Sequence, residues 1–282
     1  MTLRPRRSAL YLPASNARAI DKARTLDCDV VILDLEDAVA PEMKASARDA
    51  AVAAVREGGF GSRELVVRIN GLDTPWGADD LAALAEVSPD AILAPKVNGP
   101  DDVAPYVARM GDAQTSLWVM IETAISLFRL EPIAATASAG RLSGFVLGTN
   151  DLAKEIGCEL DVLRQPLIGA LGLTVAAARA HGLVVLDGVY NDIDDDEGFV
   201  AQTKQALAFG FDGKTLIHPR QIAPCNAVFT PDADAVAWAE RIVAAFDAPE
   251  NADKGAIRVD GKMVERLHLH RAHRVLAAIR TA

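Results

Sequence analysis

The chain has few cysteines, no excess of positive charge and no long apolar run, and each shortage closes off a class of protein. Its three cysteines, Cys28, Cys158 and Cys225, are odd in number and widely spaced. They fit neither a disulfide framework nor paired metal spacing, and they point to a reducing compartment. Asp and Glu outnumber Lys and Arg by 39 to 29, leaving a formal net charge of −10. No basic block interrupts that balance, so neither a nucleic-acid surface nor an anionic-membrane surface is expected. A local basic pocket for a small anion stays open. No apolar stretch approaches the roughly 18 residues of a membrane span. The segment Met1-Thr2-Leu3-Arg4-Pro5-Arg6-Arg7-Ser8 lacks the apolar core of a secretion signal. A cytoplasmic protein is the expectation.

What is present is core-forming. Half of the 282 residues are hydrophobic, ample for a sizeable interior. Strand-like runs fall near residues 7–13, 29–36, 64–70, 91–97, 116–122, 143–150, 183–189 and 213–218. Ala- and Leu-rich helical stretches separate them, among them Lys44–Glu57, Gly77–Glu86 and Asp161–Ala180. Ser15-Asn16 and Ser88-Pro89-Asp90 supply cap and turn chemistry. Strand–helix alternation repeated about eight times predicts a (β/α)₈ TIM barrel over residues 1–230, with a doubly wound open sheet as the alternative. Beyond His218 the pattern is helical: an amphipathic helix over 231–247, a polar link over 248–259, and a last helix ending near Arg280. Residues 231–282 are therefore read as extra C-terminal helices, able to cover the site of their own or a neighbouring subunit.

The barrel reading draws attention to strand ends, because active sites of such barrels lie there. Glu36-Asp37, Arg68 to Asn70, Lys96, Glu122, Asp151, Asp187 and His218 all follow apolar runs directly. Glu122 and Asp151 stand out. A buried carboxylate is expensive unless paired, and neighbouring strands lie about 5 Å apart, so these two could share a divalent cation. Pairing with a nearby Arg or Lys is the alternative. Arg68 offers a guanidinium suited to a bidentate carboxylate; an ion pair with Glu36 or Asp37 is the competing role, and the two are compatible. Arg18 and Lys22 are four apart on one helix face, which suits phosphates and solvent alike. His218 alone reads as readily as a structural histidine.

Three patterns mislead. Gly213-Lys214-Thr215 resembles the end of a phosphate-binding loop, but Ala208 occupies the required first glycine and a strand follows. The acidic run from Asp192 to Glu197 lacks calcium-loop spacing and reads as a helix N-terminus. His268, His270 and His273 lie among basic residues on a predicted surface helix.

Seven stretches in order carry a resemblance to a known family. They are Arg7-Ser8-Ala9-Leu10-Tyr11-Leu12-Pro13, Asp34-Leu35-Glu36-Asp37-Ala38-Val39, Val67-Arg68-Ile69-Asn70, Ala94-Pro95-Lys96-Val97, Ile121-Glu122-Thr123, Gly148-Thr149-Asn150-Asp151-Leu152-Ala153 and Gly210 to Pro219. Together they resemble the citrate lyase β-subunit-like proteins of the Mg-dependent malyl-CoA and citramalyl-CoA lyase and aldolase group. The resemblance implies a (β/α)₈ barrel, assembled as a trimer or dimer of trimers, with C-terminal helices packed on a neighbour. It makes Glu122 and Asp151 the Mg²⁺ ligands, with Glu122 and Arg68 facing the substrate. Tyr11, Arg18 and Lys22 fall at coenzyme A contacts, and Ile217 and His218 at a further substrate contact. Glu36, Asp37 and Lys96 support these groups from behind. The implied reaction is reversible carbon–carbon cleavage of a 3-hydroxyacyl-CoA such as malyl-, citramalyl- or 3-hydroxy-3-methylglutaryl-CoA, through a thioester enolate and a 2-oxo compound. Glu265, in Gly261-Lys262-Met263-Val264-Glu265, stands where relatives place an acid/base aspartate; a solvated helix-start acid is the other reading. Two alternatives accompany the lyase: the β subunit of a citrate lyase complex acting on a carrier-bound citryl group, and a barrel that binds CoA or 2-oxo acids, or acts as a scaffold, without proficient chemistry.

Overall fold

In the computed structural model, residues 4–111, 114–251 and 253–280 are described. Eight parallel strands close into a barrel: β1 (Ser8–Pro13), β2 (Val30–Asp34), β3 (Glu64–Arg68), β4 (Ala91–Ala94), β5 (Ser116–Ile121), β6 (Leu142–Leu147), β7 (Val184–Asp187) and β8 (Gly213–Leu216). They lie in sequence order, and β8 pairs back onto β1. The expected (β/α)₈ architecture is present, and the open-sheet alternative falls.

The strands are apolar on both faces because both are covered. In β2 every residue is buried. Val30 and Ile32 join Ala9, Val66, Leu93 and Trp118 in one packed interior cluster; Val31 and Leu33, equally sealed, take the opposite face. The barrel is thus filled rather than open. Trp118 is accommodated because Gly144 on β6 has no Cβ: one placed there would sit 3.1 Å from the indole ring.

Predicted strands overran their true ends. The run 29–36 stops as a strand at Asp34, whose carboxylate accepts the N–H groups of Glu36 (2.9 Å) and Ala38 (3.0 Å) and turns the chain. The run 143–150 stops at Leu147, and Thr149–Ile156 is a helix. The helix expected from Asp161 begins at Ile168. Before it, Arg164 adopts a left-handed backbone (φ 51°), and a tight turn at Gln165–Leu167 carries Pro166 in its first positions.

Asp187, expected among the chemical groups at strand ends, is instead sealed in a closed network. Its two oxygens take Arg164 Nη1 (2.5 Å) and Lys214 Nζ (2.8 Å). Lys214 also donates to Gly188 O and Gln202 Oε1, and Arg164 to Gln205 Oε1. The loop-like Gly213-Lys214-Thr215 motif is therefore a strand with a buried structural lysine. Burial opposes ionisation of Asp187, yet Lys214 and Arg164 outweigh it and hold its carboxyl below the usual range.

Residues 227–280, with Arg4 and Pro5, form a second compact unit, distinct from the unit of residues 6–226. It contains a helix at Ala233–Asp247, an antiparallel hairpin of β9 (Ala256–Val259) and β10 (Lys262–Glu265), and a helix at Arg266–Arg280. The tail is not purely helical as expected. Asp260 and Gly261, both at positive φ, make the two-residue hairpin turn. Ile257, Val259 and Val264 pack with Ile242, Phe246 and Ala272. Among the described residues, no helix is long and apolar enough to cross a membrane.

Removing one member of a buried ion cluster strands the others, at a cost of about 3–5 kcal/mol. Lys214→Met is expected to lower the unfolding free energy by about that amount, read as a shift in the urea midpoint of the full chain. Because the Asp187 carboxyl titrates lower when folded than unfolded, its contribution is complete above the unfolded carboxylate range. It is lost as pH falls through the folded value.

Candidate active site

Sheet register brings the first partners together. β2 and β3 pair with Asp34 beside Arg68. Arg68 Nε and Nη2 donate to the two oxygens of Asp34 at 2.7 and 2.6 Å, a bidentate fork. Arg68 Nη1 lies 2.8 Å from Glu36 Oε2 as an ion pair without hydrogen-bond geometry, and 3.6 Å from Asp37. The Tyr11 ring packs 5.0 Å from the guanidinium carbon. Burial opposes charge on Arg68, but Asp34 and Glu36 more than offset it, so the guanidinium stays charged. Its expected partners, Glu36 and Asp37, are present; Asp34, its strongest, was missed. The clue was available: an Asp two residues before Glu36, ending an apolar run.

Behind this pair sits a second missed residue. Lys44 is buried, and its ammonium donates to Leu35 O (2.8 Å), Glu36 O (2.7 Å) and Asn70 Oδ1 (2.7 Å), using all three protons. It pins the loop that carries Glu36. Asn70 in turn donates to Asp80, which Arg48 holds. Pattern reading placed Lys44 only as the first residue of a helix.

Glu122 leaves β5 and is 2 % exposed. The register sets Ile121 beside Leu147, so Gly148 comes against Glu122; a Cβ at Gly148 would lie 2.5 Å from Glu122 Oε2. Glu122 Oε1 accepts the Lys96 N–H at 2.7 Å, and Oε2 makes no hydrogen bond among the described residues. Burial, then repulsion from Glu36, pushes its carboxyl up to about 7. Asp151 is not at a strand end, as expected, but in the first turn of the helix Thr149–Ile156. Its side chain is 34 % exposed and lies 3.6 Å from Lys96 Nζ, which also donates to Glu36 at 2.6 Å. Lys96 thus touches Glu36, Glu122 and Asp151.

The donor set fits a hard divalent cation. Glu122 and Asp151 offer carboxylate oxygen, one oxygen of Glu122 is uncommitted, and the missing Cβ of Gly148 is what lets Glu122 pack there. Among the described residues no group of three or more His, Cys, Asp or Glu could hold a metal, and Glu122 with Asp151 offers two carboxylate ligands. Mg²⁺ accepts that number readily, completing its octahedron with water or substrate oxygens.

The remaining expected residues fall into three places. Arg18 and Lys22 are exposed on the helix Ala17–Ala23. Ile217 is 37 % exposed, and its N–H and that of His218 both donate to Gln221 Oε1. His218 Nδ1 accepts the Arg220 N–H, a capping role. Gln221, also missed, reaches across to Tyr190 O at 3.0 Å and so ties the loops after β7 and β8. Glu265 ends β10 in the second unit, where its N–H donates to His268 Nδ1 at 3.0 Å; its carboxylate makes no hydrogen bond among the described residues.

Comparison with known proteins agrees with the barrel. A (3S)-malyl-CoA thioesterase of Cereibacter sphaeroides (strain KD131 / KCTC 12085) is 46 % identical over 273 residues, covering 97 % of this chain and 94 % of that protein. An L-malyl-CoA/beta-methylmalyl-CoA lyase of Cereibacter sphaeroides (strain ATCC 17029 / ATH 2.4.9) is 36 % identical over 290 residues, covering 93 % and 91 %. Among solved structures, CitE from Mycobacterium tuberculosis in complex with magnesium, acetoacetate and coenzyme A shares 31 % identity at a TM-score of 0.76, over 98 % of this chain and 99 % of that one. The pattern described as HpcH/HpaI aldolase/citrate lyase matches residues 7–219. On these matches and this geometry, the chain belongs to the HpcH/HpaI aldolase/citrate lyase family.

Proposed function

We propose that this chain is a Mg²⁺-dependent carbon–carbon lyase acting on a 3-hydroxyacyl-CoA, with malyl-CoA the first substrate to test. One observation carries the reading: Glu122 and Asp151 offer carboxylate oxygen at the rim that also holds the fixed guanidinium of Arg68. The lyase and the CitE complex named above supply the substrate class and the metal. Glu122 and Asp151 would hold Mg²⁺, which would supply Lewis-acid polarisation of the substrate's oxygens there.

Arg68 contributes a cation that cannot deprotonate and does not move, because Asp34 holds two of its donors. Its remaining donors serve the oxyanion that forms as the 2-oxo product leaves. In the cleavage direction a general base accepts the proton of the substrate hydroxyl and the bond between C2 and C3 of the acyl chain breaks. The electron pair goes to the thioester enolate, which an acid then protonates at carbon. We assign that acid to Glu265. Its extra methylene relative to aspartate moves the proton by about an ångström, and such a misplacement can cost on the order of 10²-fold. Tyr11, Arg18, Lys22, Ile217 and His218 are assigned to the CoA and acyl portions, and Glu36, Asp37 and Lys96 to supporting the ligands. The assembly proposed is a trimer or dimer of trimers, with residues 231–282 packed on a neighbouring subunit, in the cytoplasm.

A second reading is favoured by the 46 % identity to a malyl-CoA thioesterase. There water adds to the thioester carbonyl, the carbon–sulfur bond breaks, and malate and free CoA leave. Binding through Glu122, Asp151 and Arg68 is common to both readings; only the bond broken differs.

A single incubation of the full chain with malyl-CoA and Mg²⁺ separates them. Glyoxylate with acetyl-CoA and no free thiol marks the lyase; malate with an equivalent of thiol marks hydrolysis. EDTA is expected to abolish either activity and Mg²⁺ to restore it; turnover that survives chelation would sink the metal assignment. Arg68→Lys, which gives up the fork on Asp34, is expected to lower kcat/KM by about 10²–10³-fold. Gly148→Ala, which drives a methyl into Glu122, is expected to lose Mg²⁺ binding in a calorimetric titration. Glu265→Gln leaving turnover unchanged would show that the acid lies elsewhere.

A further inference from the structure

We propose that Lys96 is a resident counter-cation that competes with the divalent ion for Asp151 and so sets how tightly the barrel holds its metal. The inference rests on the Mg²⁺ reading of Glu122 and Asp151. One residue touches both of those carboxylates, through different atoms. The backbone N–H of Lys96 donates to Glu122 Oε1 at 2.7 Å, and its ammonium lies 3.6 Å from Asp151 Oδ2.

Two features separate this from an ordinary surface ion pair. First, Lys96 holds a left-handed backbone with φ 51°. Glycine adopts that conformation at no steric cost and would still present the N–H to Glu122. What glycine lacks is the ammonium, so a lysine here points to a use for the charge. Second, the two ammonium contacts are unequal. Glu36 Oε1 holds Nζ at 2.6 Å, whereas Asp151 Oδ2 stands at 3.6 Å. The side chain is 48 % exposed. Glu36 is the tether and Asp151 the looser contact, the one a metal can take over.

The charge balance of the rim supports the same role. Asp34, Glu36, Asp37 and Asp151 are ion-paired only with Arg68 and Lys96 among the described residues. The rim therefore carries a surplus of negative charge that a divalent ion would offset. Without Lys96 that surplus would be larger, and the metal would be held more tightly. The ammonium thus holds the ligands near their places in the absence of metal and weakens the grip when metal arrives.

Calorimetric titration of the substrate-free full chain with Mg²⁺ tests this directly. Lys96→Met is expected to tighten Mg²⁺ binding by roughly ten-fold, the size of effect that removing a nearby like charge has at a half-exposed site. Lys96→Arg, which keeps the charge, is expected to stay within about three-fold of the parent on the same reasoning. Lys96→Gly suits the backbone conformation and is expected to tighten binding as Lys96→Met does; if the methionine variant fails to fold, the glycine variant decides. A purely structural lysine predicts the reverse, since loosened ligands bind metal less well. Unchanged or weaker Mg²⁺ binding in the folded variants overturns the proposal. Asp151→Asn is the control: if the parent binds Mg²⁺ and Asp151→Asn does not, the ligand reading stands whatever Lys96 does. A parent chain that binds no Mg²⁺ overturns both.

Discussion

The bidentate pair between Arg68 and Asp34 is the constraint on which the rim of the barrel depends. An arginine buried where strands end cannot shed its charge, so the fold must provide a partner in fixed geometry or exclude the residue. Asp34 is that partner, and the same carboxylate accepts the N–H groups of Glu36 and Ala38. One side chain therefore ends the second strand, shapes the loop behind it and aims the guanidinium. Lys44 completes the arrangement by anchoring the carbonyls of Leu35 and Glu36. With the loop held at both its N–H and its C=O groups, Glu36 can reach Arg68 and Lys96 together. Removing Asp34 or Arg68 strips a buried charge of its bidentate partner, and removing Lys44 leaves buried carbonyls unpaired, so these groups form one interlocked set.

The barrel also contains a control for this arrangement. Asp187 follows an apolar strand as Glu122 does, and both carboxylates are almost wholly buried. Asp187 has both oxygens taken by full cations; Lys214 spends its other two protons on Gly188 and Gln202, and Arg164 is held by Gln205. That network offers no bare carboxylate to a ligand. Glu122 has one oxygen on a neutral N–H and a neighbouring carboxylate that repels it, and its carboxyl is pushed up accordingly. A buried acid whose partners are complete is structural; one left under-compensated at the rim is, in the proposed reading, a ligand for a cation. The difference lies in the partners and not in the depth of burial.

Sequence reading reached the barrel because apolar runs report burial, and parallel strands buried on two faces give such runs. All eight strands fell close to their predicted spans. It failed where a local signal is overruled by a bond between distant residues. The overrun of the second strand past Asp34, and the late start of the helix at Ile168, both reflect side-chain or left-handed turns that no periodicity encodes. Glu122 and Arg68 were visible as charges in apolar context. Asp34, Lys44 and Gln221 were not singled out, because their significance is their partners: Arg68 is 34 residues from Asp34, and Asn70 is 26 from Lys44. The hairpin at residues 256–265 hid for another reason. Its polar sequence alternates only weakly, and what fixes it is the packing of Ile257, Val259 and Val264 on the tail helices.

The two reactions named for the relatives, cleavage and hydrolysis, need not imply two kinds of barrel mouth. In the proposed reading, carboxylates and guanidinium grip the hydroxy-acid end of the substrate and bias the fate of its oxygens. They say nothing about what reaches the thioester end. Carbon–carbon cleavage demands an acid placed at the enolate carbon, whereas hydrolysis demands water placed at the thioester carbonyl, one atom further along the chain. A carboxylic acid displaced by one methylene shifts the balance between those demands, because the proton for carbon arrives late or misaligned while water remains mobile. If Glu265 fills the acid's place, as proposed, its extra methylene is a change of that kind, and it leaves every residue of the rim untouched. In the proposed reading the rim fixes the substrate class, and the choice of bond falls to the acid, the role proposed for Glu265.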